Sequence, residues 1–486
     1  MTHKGDESGV LRPSPRRDDL WHVVLPAVEA TRRAGLAYEA SGKYISRLSV
    51  PKFTLNDAGW PSMTDRDITS PKDGPINWTY MVGLKKGTFA ALEVEDVPEL
   101  RILIEMLESD PDLADKVSPI SQDRDGSGRD HSHLAWAAMG LVTSIVARAE
   151  ALNAHSRAEL QAIYLELETG ILAKELVVDI VVPVALVRFD GIDNLQISEN
   201  VRLERLDEPT QCARAASALS PSRVSAYLVA AATHAIVVEG IHIGNPNSLE
   251  REIRLWQDGL DLSRIEAACQ SIEILSGVHI GYAQVCLRPR GWANRWKHDL
   301  PPLVRLQELA RFDPSFENAG WNGRGATVDA DKLSRLPTVF ENSENGSPRL
   351  RLAARRLFQS HLREDEEDIV IDTCIGIEAL LGQGRDELTH RMGLRAAIAL
   401  KRSSLDANPR VTYEILKKTY EHRSRIVHGA IRKTTKIALF NERLEASDVA
   451  LYLLRALLLS ALEQSPAWTP EDLDEKILEA MYPPTP

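Results

Sequence analysis

The strongest constraint in this sequence is an abrupt change of periodicity after Asn342-Ser-Glu-Asn-Gly-Ser-Pro348. From residue 349 to 464 strand-like alternation nearly vanishes. Apolar residues instead recur every three or four positions, which places them on one face of successive α-helices. A first helix is expected over 349–362. The second follows the acidic run 364–368, carries Val370, Thr373, Cys374, Ile377 and Leu381, and stops at Gly382. Acidic residues suit a helix N-terminus and glycine its end. A third starts at Asp386 with Leu388, Met392, Ala396 and Ala399 in register. The fourth follows Pro409 and puts Tyr413, Leu416, Tyr420 and Val427 on one stripe. The last, over 447–462, is apolar nearly all round, which predicts burial on two sides. Five such helices pack as a bundle.

Upstream, residues 21–345 mix helix and strand signals. Leu100, Leu103, Ile104 and Leu107 repeat at helical spacing, and Leu134, Met139, Leu141 and Ile145 do so more loosely. Runs rich in Val, Ile and Ala at 176–187, 227–243 and 279–287 read as buried strands, the second long enough to include a helix. The fold class expected is therefore an α+β N-terminal region, divisible into two subdomains, followed by an all-α C-terminal helical bundle. Residues 1–20 and 466–486 read as tails around units at 21–345 and 347–465. At roughly 150 residues per domain, a chain of 486 residues accommodates this.

Composition narrows the function classes. The chain has 58 Lys and Arg against 70 Asp and Glu, a net charge of −12, which argues against coating nucleic acid or anionic membrane with the whole surface. The charge is unevenly placed. Residues 347–464 are +4, and residues 401–436 hold ten basic against three acidic residues. An acidic protein with one basic segment admits RNA at one place. With charges and prolines near the start, no export signal is expected. Uncharged apolar stretches such as 224–238 are shorter than a membrane span. Four scattered cysteines, Cys212, Cys269, Cys286 and Cys374, fit reduced thiols in a cytoplasmic protein.

The chemistry-bearing segment lies in that basic stretch: Tyr420-Glu-His-Arg423-Ser424-Arg-Ile-Val-His428-Gly429. The bare spacing of Arg423 to His428 recurs at Arg17/His22, Arg356/His361 and Arg385/His390, so spacing alone decides nothing. Context does. With Gly376-Ile-Glu378-Ala-Leu-Leu-Gly382 and Leu388-Thr-His-Arg391-Met-Gly-Leu-Arg395, the segment resembles the ApeA-like HEPN domains of bacterial anti-phage defence proteins. The resemblance covers about residues 349–464. It implies a metal-independent endoribonuclease of an abortive-infection system, working as a homodimer with Arg423 and His428 as catalytic residues in a shared cleft. RNA, with tRNA among the candidates, is the implied substrate, and a phage-derived trigger acting on the N-terminal region the implied control.

The residue types suit that reaction. Attack by the 2′-hydroxyl needs a base, and histidine titrates near neutrality. Charge growing on phosphate oxygens needs a permanent cation with fork geometry. Ser424, Glu378 and Tyr420 are the expected supporting residues; Arg425, Lys417, Lys418, Arg432 and Lys433 are the expected RNA contacts. Glu378 is expected in a buried salt bridge with Arg391 or Arg395, and Tyr420 in the core. Residues five apart on a helix point about 140° from each other, itself a reason to expect a second copy.

Other clusters carry blander readings. Asp130-His131-Ser132-His133 is read as incidental, and no metal or other cofactor is expected. His234 and His242 are read as core histidines. Trp292, Trp296 and Trp321, with Arg288, Arg290 and Arg295, suit nucleotide stacking but are read as a rim packed against the bundle. Two alternatives remain open: a catalytically silent HEPN dimerisation or RNA-holding module, and a ligand receptor in the N-terminal region with the bundle as its clamp.

Overall fold

The computed structural model describes residues 15–50, 53–57, 59–62, 74–85, 90–118, 131–217, 226–245, 260–296, 298–316, 325–383, 388–429, 436–439 and 442–481. Three groups of elements follow one another: helices, an antiparallel sheet, then helices with one hairpin. Mixed α/β content, with the main sheet in the N-terminal two thirds and helices dominating the rest, agrees with the expected class at that level.

The N-terminal helices are α1 (Asp18–Ala40), α2 (Pro98–Ser109), α3 (Pro111–Val117), α4 (His131–Leu152) and α5 (Arg157–Leu172). Local signals set their starts: acidic Asp18 and Asp19 in α1, proline at the first turn of α2 and α3, and a Ser156/Glu159 capping box in α5. Leu100, Leu103, Ile104 and Leu107 are all buried, in a core shared with Val24, Val142, Ile145 and Tyr164. From Ser132 to Leu152, α4 is long and apolar enough to cross a membrane by length and composition. Its uncharged part, residues 131–147, spans 17 residues before Arg148. Here it packs among α1, α2 and α5. The N-terminal tail ends sooner than expected: the Arg16 and Arg17 backbone N–H groups donate to the two Glu168 carboxylate oxygens, at 2.8 and 2.9 Å.

The sheet comprises β1 (Glu175–Ala185), β2 (Asn194–Ser198), β3 (Val201–Arg205), β4 (His234–Gly244), β5 (Gly281–Pro289) and β6 (Val304–Arg311). Their order is β6-β5-β1-β4-β3-β2, every neighbour antiparallel. All three expected strands are present. The 227–243 run divides into a helical turn, Ala226–Ala230, and β4. Both faces of the central strands are covered, so β1 reads as a continuous apolar run instead of alternating. Ile180 and Val182 enter one core, Val181 the opposite one with Val237 and Cys286.

Charges on the sheet are internally paired. Buried Asp179 accepts from Arg288 (3.1 Å) and Arg290 (2.5 Å). Arg288 also reaches Glu204, and Arg202 and Arg290 both meet Glu239. Trp292 donates its indole N–H to the Val177 carbonyl at 2.7 Å, and Trp296 lies under Arg148. The following Ala293 hydrogen-bonds α5. Trp296 thus packs with the N-terminal helices, while Trp292 lies on the sheet in the core that continues into the bundle; Trp321 lies outside the described residues.

One helix, α6 (Ser263–Ser276), is threaded between β4 and β5; C-terminal to the sheet come α7 (Leu336–Glu344), α8 (Pro348–Ser360), α9 (Glu366–Leu381), α10 (Leu388–Lys401), α11 (Pro409–Val427), α12 (Ala446–Leu462) and α13 (Pro470–Met481). The five expected helices are α8 to α12. Apolar all round, α12 contacts α8, α9, α10, α11 and α6. Three expectations need correction. An antiparallel hairpin, β7 (Lys436–Leu439) and β8 (Glu442–Glu445), interrupts the all-α region between α11 and α12. The presumed C-terminal tail contains α13, which buries Leu473 and presents Asp474 to α10. Finally, one core runs from β1 through α6 and α7 into α8–α12, so the texture change near 345 marks new secondary structure and no break in packing.

Candidate functional site

Helix α11 is fixed at both ends. Asn408 Oδ1 accepts from the Arg410 and Val411 backbone N–H groups at 3.0 and 3.3 Å, and Pro409 occupies the first turn. At the other end the His428 N–H donates to the Ser424 carbonyl at 3.1 Å, and Gly429 takes φ +66°, a left-handed closure that favours glycine.

This helix sorts the candidate residues onto two faces. At 100° per residue, Thr412, Leu416, Thr419, Tyr420 and Arg423 fall within about 100° of arc, and Lys417, Ser424 and His428 within about 40° on the opposite side. Burial agrees: Leu416, Thr419 and Tyr420 are buried, Arg423 is half-buried, and Lys417, Ser424 and His428 are exposed. Val427, expected on the packed stripe, is instead exposed.

The inward face meets α9. Tyr420 donates its hydroxyl to the Cys374 carbonyl at 3.2 Å, and burial raises its pKa well above the ordinary tyrosine value. Burial likewise raises the Cys374 thiol to about 12, so it is a neutral packing group. Arg423 Nη2 lies 3.8 Å from Glu378 Oε1, each side chain about a third exposed, and Arg423 Nε is buried without a hydrogen-bond partner. Glu378 is therefore a partner of Arg423. The expected bridge to Arg391 or Arg395 is not formed, because both arginines turn to Asp474 of α13, Arg395 at 2.6 and 2.7 Å and Arg391 at 3.3 Å.

The structure thus gathers Arg423, Glu378 and Tyr420, and leaves His428 apart from them within the chain. Among the described residues, no hydrogen bond or ion pair holds the His428 imidazole. Of the expected RNA contacts, Lys417 and Arg425 are exposed and Lys418 pairs with Glu421 at 3.0 Å. Arg432 and Lys433 lie outside the described residues. His422, passed over in the sequence, is buried with Nδ1 unpartnered, and burial lowers its basicity. At 100° per residue it lies 60° from Thr419, beside the packed face, which is the one sequence signal for its burial.

The remaining histidines divide. His234 is a satisfied core residue, bonded to the Ile192 carbonyl at 2.7 Å and to Thr233. His242 is not: its side chain is exposed on the edge of β4, 3.8 Å from Glu175. His133 is exposed on the first turns of α4, while Asp130 and the His131 side chain lie outside the described residues.

No protein-family model, curated protein or solved structure matches this chain. Function is therefore argued from the site.

Proposed function

We propose that the C-terminal helices form a HEPN-type RNA-cleaving module that acts as a homodimer, in the cytoplasm, within an anti-phage abortive-infection response governed by the N-terminal region. The observation that carries this reading is the end of α11. It presents an exposed, unbonded imidazole (His428) and a guanidinium (Arg423) with a free Nε, held only loosely by Glu378.

In the proposed reaction His428 takes the proton from a ribose 2′-hydroxyl, whose oxygen attacks the adjacent phosphorus. Arg423 stabilises the negative charge that builds on the phosphate oxygens. The bond to the 5′-oxygen breaks, and that oxygen takes a proton from water. Products are a 2′,3′-cyclic phosphate and a 5′-hydroxyl end. Because the two groups point to opposite sides of one helix, the cleft needs Arg423 of one copy and His428 of the other. Exposed Val427 beside His428 offers an apolar contact for that second copy. Lys417 and Arg425 flank the site as RNA contacts.

The test compares wild type, Arg423→Ala and His428→Ala on total RNA with and without chelator, folding being checked by circular dichroism. Cleavage by the wild type alone, resistant to chelator, is expected. Equal cleavage by all three, or folded wild type that loses cleavage in chelator, contradicts the proposal.

A second reading, a catalytically silent module that holds RNA or a second copy, draws on the Arg423–Glu378 pair, which can serve packing alone. It requires RNA binding or dimerisation without turnover.

A further inference from the structure

Away from α11, three residues from three elements converge where the sheet layer meets the bundle. Glu273 lies in the last turn of α6, His279 in the connection to β5, and His361 caps the C-terminus of α8. Their donor atoms all lie within 4.8 Å of one another. His361 Nε2 is 3.1 Å from Glu273 Oε1, and His279 Nδ1 is 3.3 Å from Oε2. The two imidazoles stack with centroids 4.4 Å apart, and Phe358 closes one side.

Glu273 is 2% exposed, whereas the histidine side chains are 16% and 27% exposed, so an ion can enter past the imidazoles. A carboxylate this buried is unfavourable without positive charge beside it. Burial raises its pKa, but the nearby His361 and the hydrogen bond with His279 prevail and hold it at about 2, so the group is an anion. His279 Nε2 is buried with no partner. Neighbouring charges are otherwise committed. Arg455 of α12 donates to the Ile274 and Leu275 carbonyls, at 2.9 and 3.0 Å, and Asp313 adds negative potential toward His361.

We propose that Glu273, His279 and His361 form a binding site for a divalent transition-metal ion of the zinc type, which staples α6 to α8. Two imidazole nitrogens and one carboxylate are a donor set such ions take, with a further position left for water. A tetrahedral ion about 2.0–2.1 Å from each ligand sets neighbouring donors about 3.3 Å apart. The observed separations, 3.1 Å to one Glu273 oxygen and 3.3 Å to the other, lie near that spacing, and all three donors fall within 4.8 Å of one another. Binding exchanges imidazole protons for the ion. Because Glu273 and His279 belong to the sheet layer and His361 to the bundle, occupancy ties the two together. The site stands independently of the RNA reading.

The test strips the purified full-length protein with chelator and titrates it with Zn2+ by calorimetry, with Co2+ absorption as a spectroscopic probe of the ligand field. One Zn2+ per chain and a rise in Tm on metal addition are expected. His361→Gln, which keeps a neutral hydrogen-bonding side chain, and Glu273→Gln both lose that binding; His133→Gln, in the other histidine cluster, retains it. If Glu273→Gln fails to fold, His361→Gln alone decides. Absence of one-to-one binding in the wild type, binding undiminished in folded His361→Gln, or its loss in His133→Gln overturns the proposal. The readout is metal, not RNA, so this inference and the proposed function fail separately.

Discussion

Arg423 and His428 stand on opposite faces of one helix, Arg423 turned inward to Glu378 at 3.8 Å and His428 turned outward to solvent. Regular helical geometry carried through the Val427 terminus imposes this separation of about 140°. A single chain therefore displays half of a two-residue site on each side, and the predictions below follow from how each half is held.

Glu378 orients Arg423 without locking it, since the ion pair is long and about a third exposed. Glu378→Gln keeps the volume and removes the charge. We expect RNA cleavage to fall by about tenfold through loss of orientation, with the melting temperature nearly unchanged, because exposed pairs contribute little stability. Single-turnover cleavage with a melting curve checks both.

Gly376 lies where α9 crosses α12: a Cβ there would sit 2.7 Å from Leu454 Cδ2 and 3.3 Å from the Arg356 Cβ. Gly376→Ala therefore overpacks this crossing and is expected to cost about 1–3 kcal/mol. Chemical denaturation measures it. The glycine of the Gly376-Ile-Glu378 motif has a packing reason, whatever the activity of the site.

Asp474 is the carboxylate partner of Arg395, whose side chain is only 1% exposed. Asp474→Asn leaves that guanidinium with the Leu381 carbonyl and Gln383. We expect a loss of about 2 kcal/mol, below the usual cost of breaking a buried pair because Asp474 itself is partly exposed. The pH dependence has a definite sign. Chiefly through its hydrogen bond from Arg395, Asp474 is held below the usual carboxylate range. Its contribution is thus complete above the ordinary aspartate value and is lost as pH falls through the depressed one. The difference in Tm between wild type and Asp474→Asn should shrink on acidification, as thermal melts from pH 6 downward will show.

Removing residues 466–486 tests the same contact on a larger scale. The deletion takes away buried Trp468 and Leu473 together with Asp474. A lower Tm and faster proteolysis in α10 are expected; a truncated protein as stable as the full chain would show α13 to be dispensable.

What was legible in the sequence had a strong local cause. The strand β1 was visible because two-sided burial makes Val177–Val184 an almost unbroken apolar run, and α9 because Val370, Cys374, Ile377 and Leu381 keep helical period. The hairpin was not, since its strands are four residues each and bury Ile437 amid Lys436, Glu442, Arg443 and Glu445. Helix α13 was hidden behind Pro466 and Pro470, although the reciprocal bonds of Thr469 and Asp472 announce its start. The candidate site was half legible. Periodicity placed Tyr420 on a packed face, yet it cannot say which helix packs there. Glu378 was accordingly assigned to Arg391 or Arg395, and Arg423 was not recognised as its partner. The cluster of Glu273, His279 and His361 was invisible for the same reason, its members being brought together only by tertiary packing.

The central claim, that one copy supplies Arg423 and the other His428, is tested most directly by mixing. Arg423→Ala and His428→Ala proteins, each inactive alone, are dissociated, combined in equal amounts, reassociated and assayed on RNA. Statistical mixed dimers carry one intact composite cleft of two, so about a quarter of wild-type cleavage should return. No recovery, despite mixed dimers confirmed by mass spectrometry, contradicts the shared cleft.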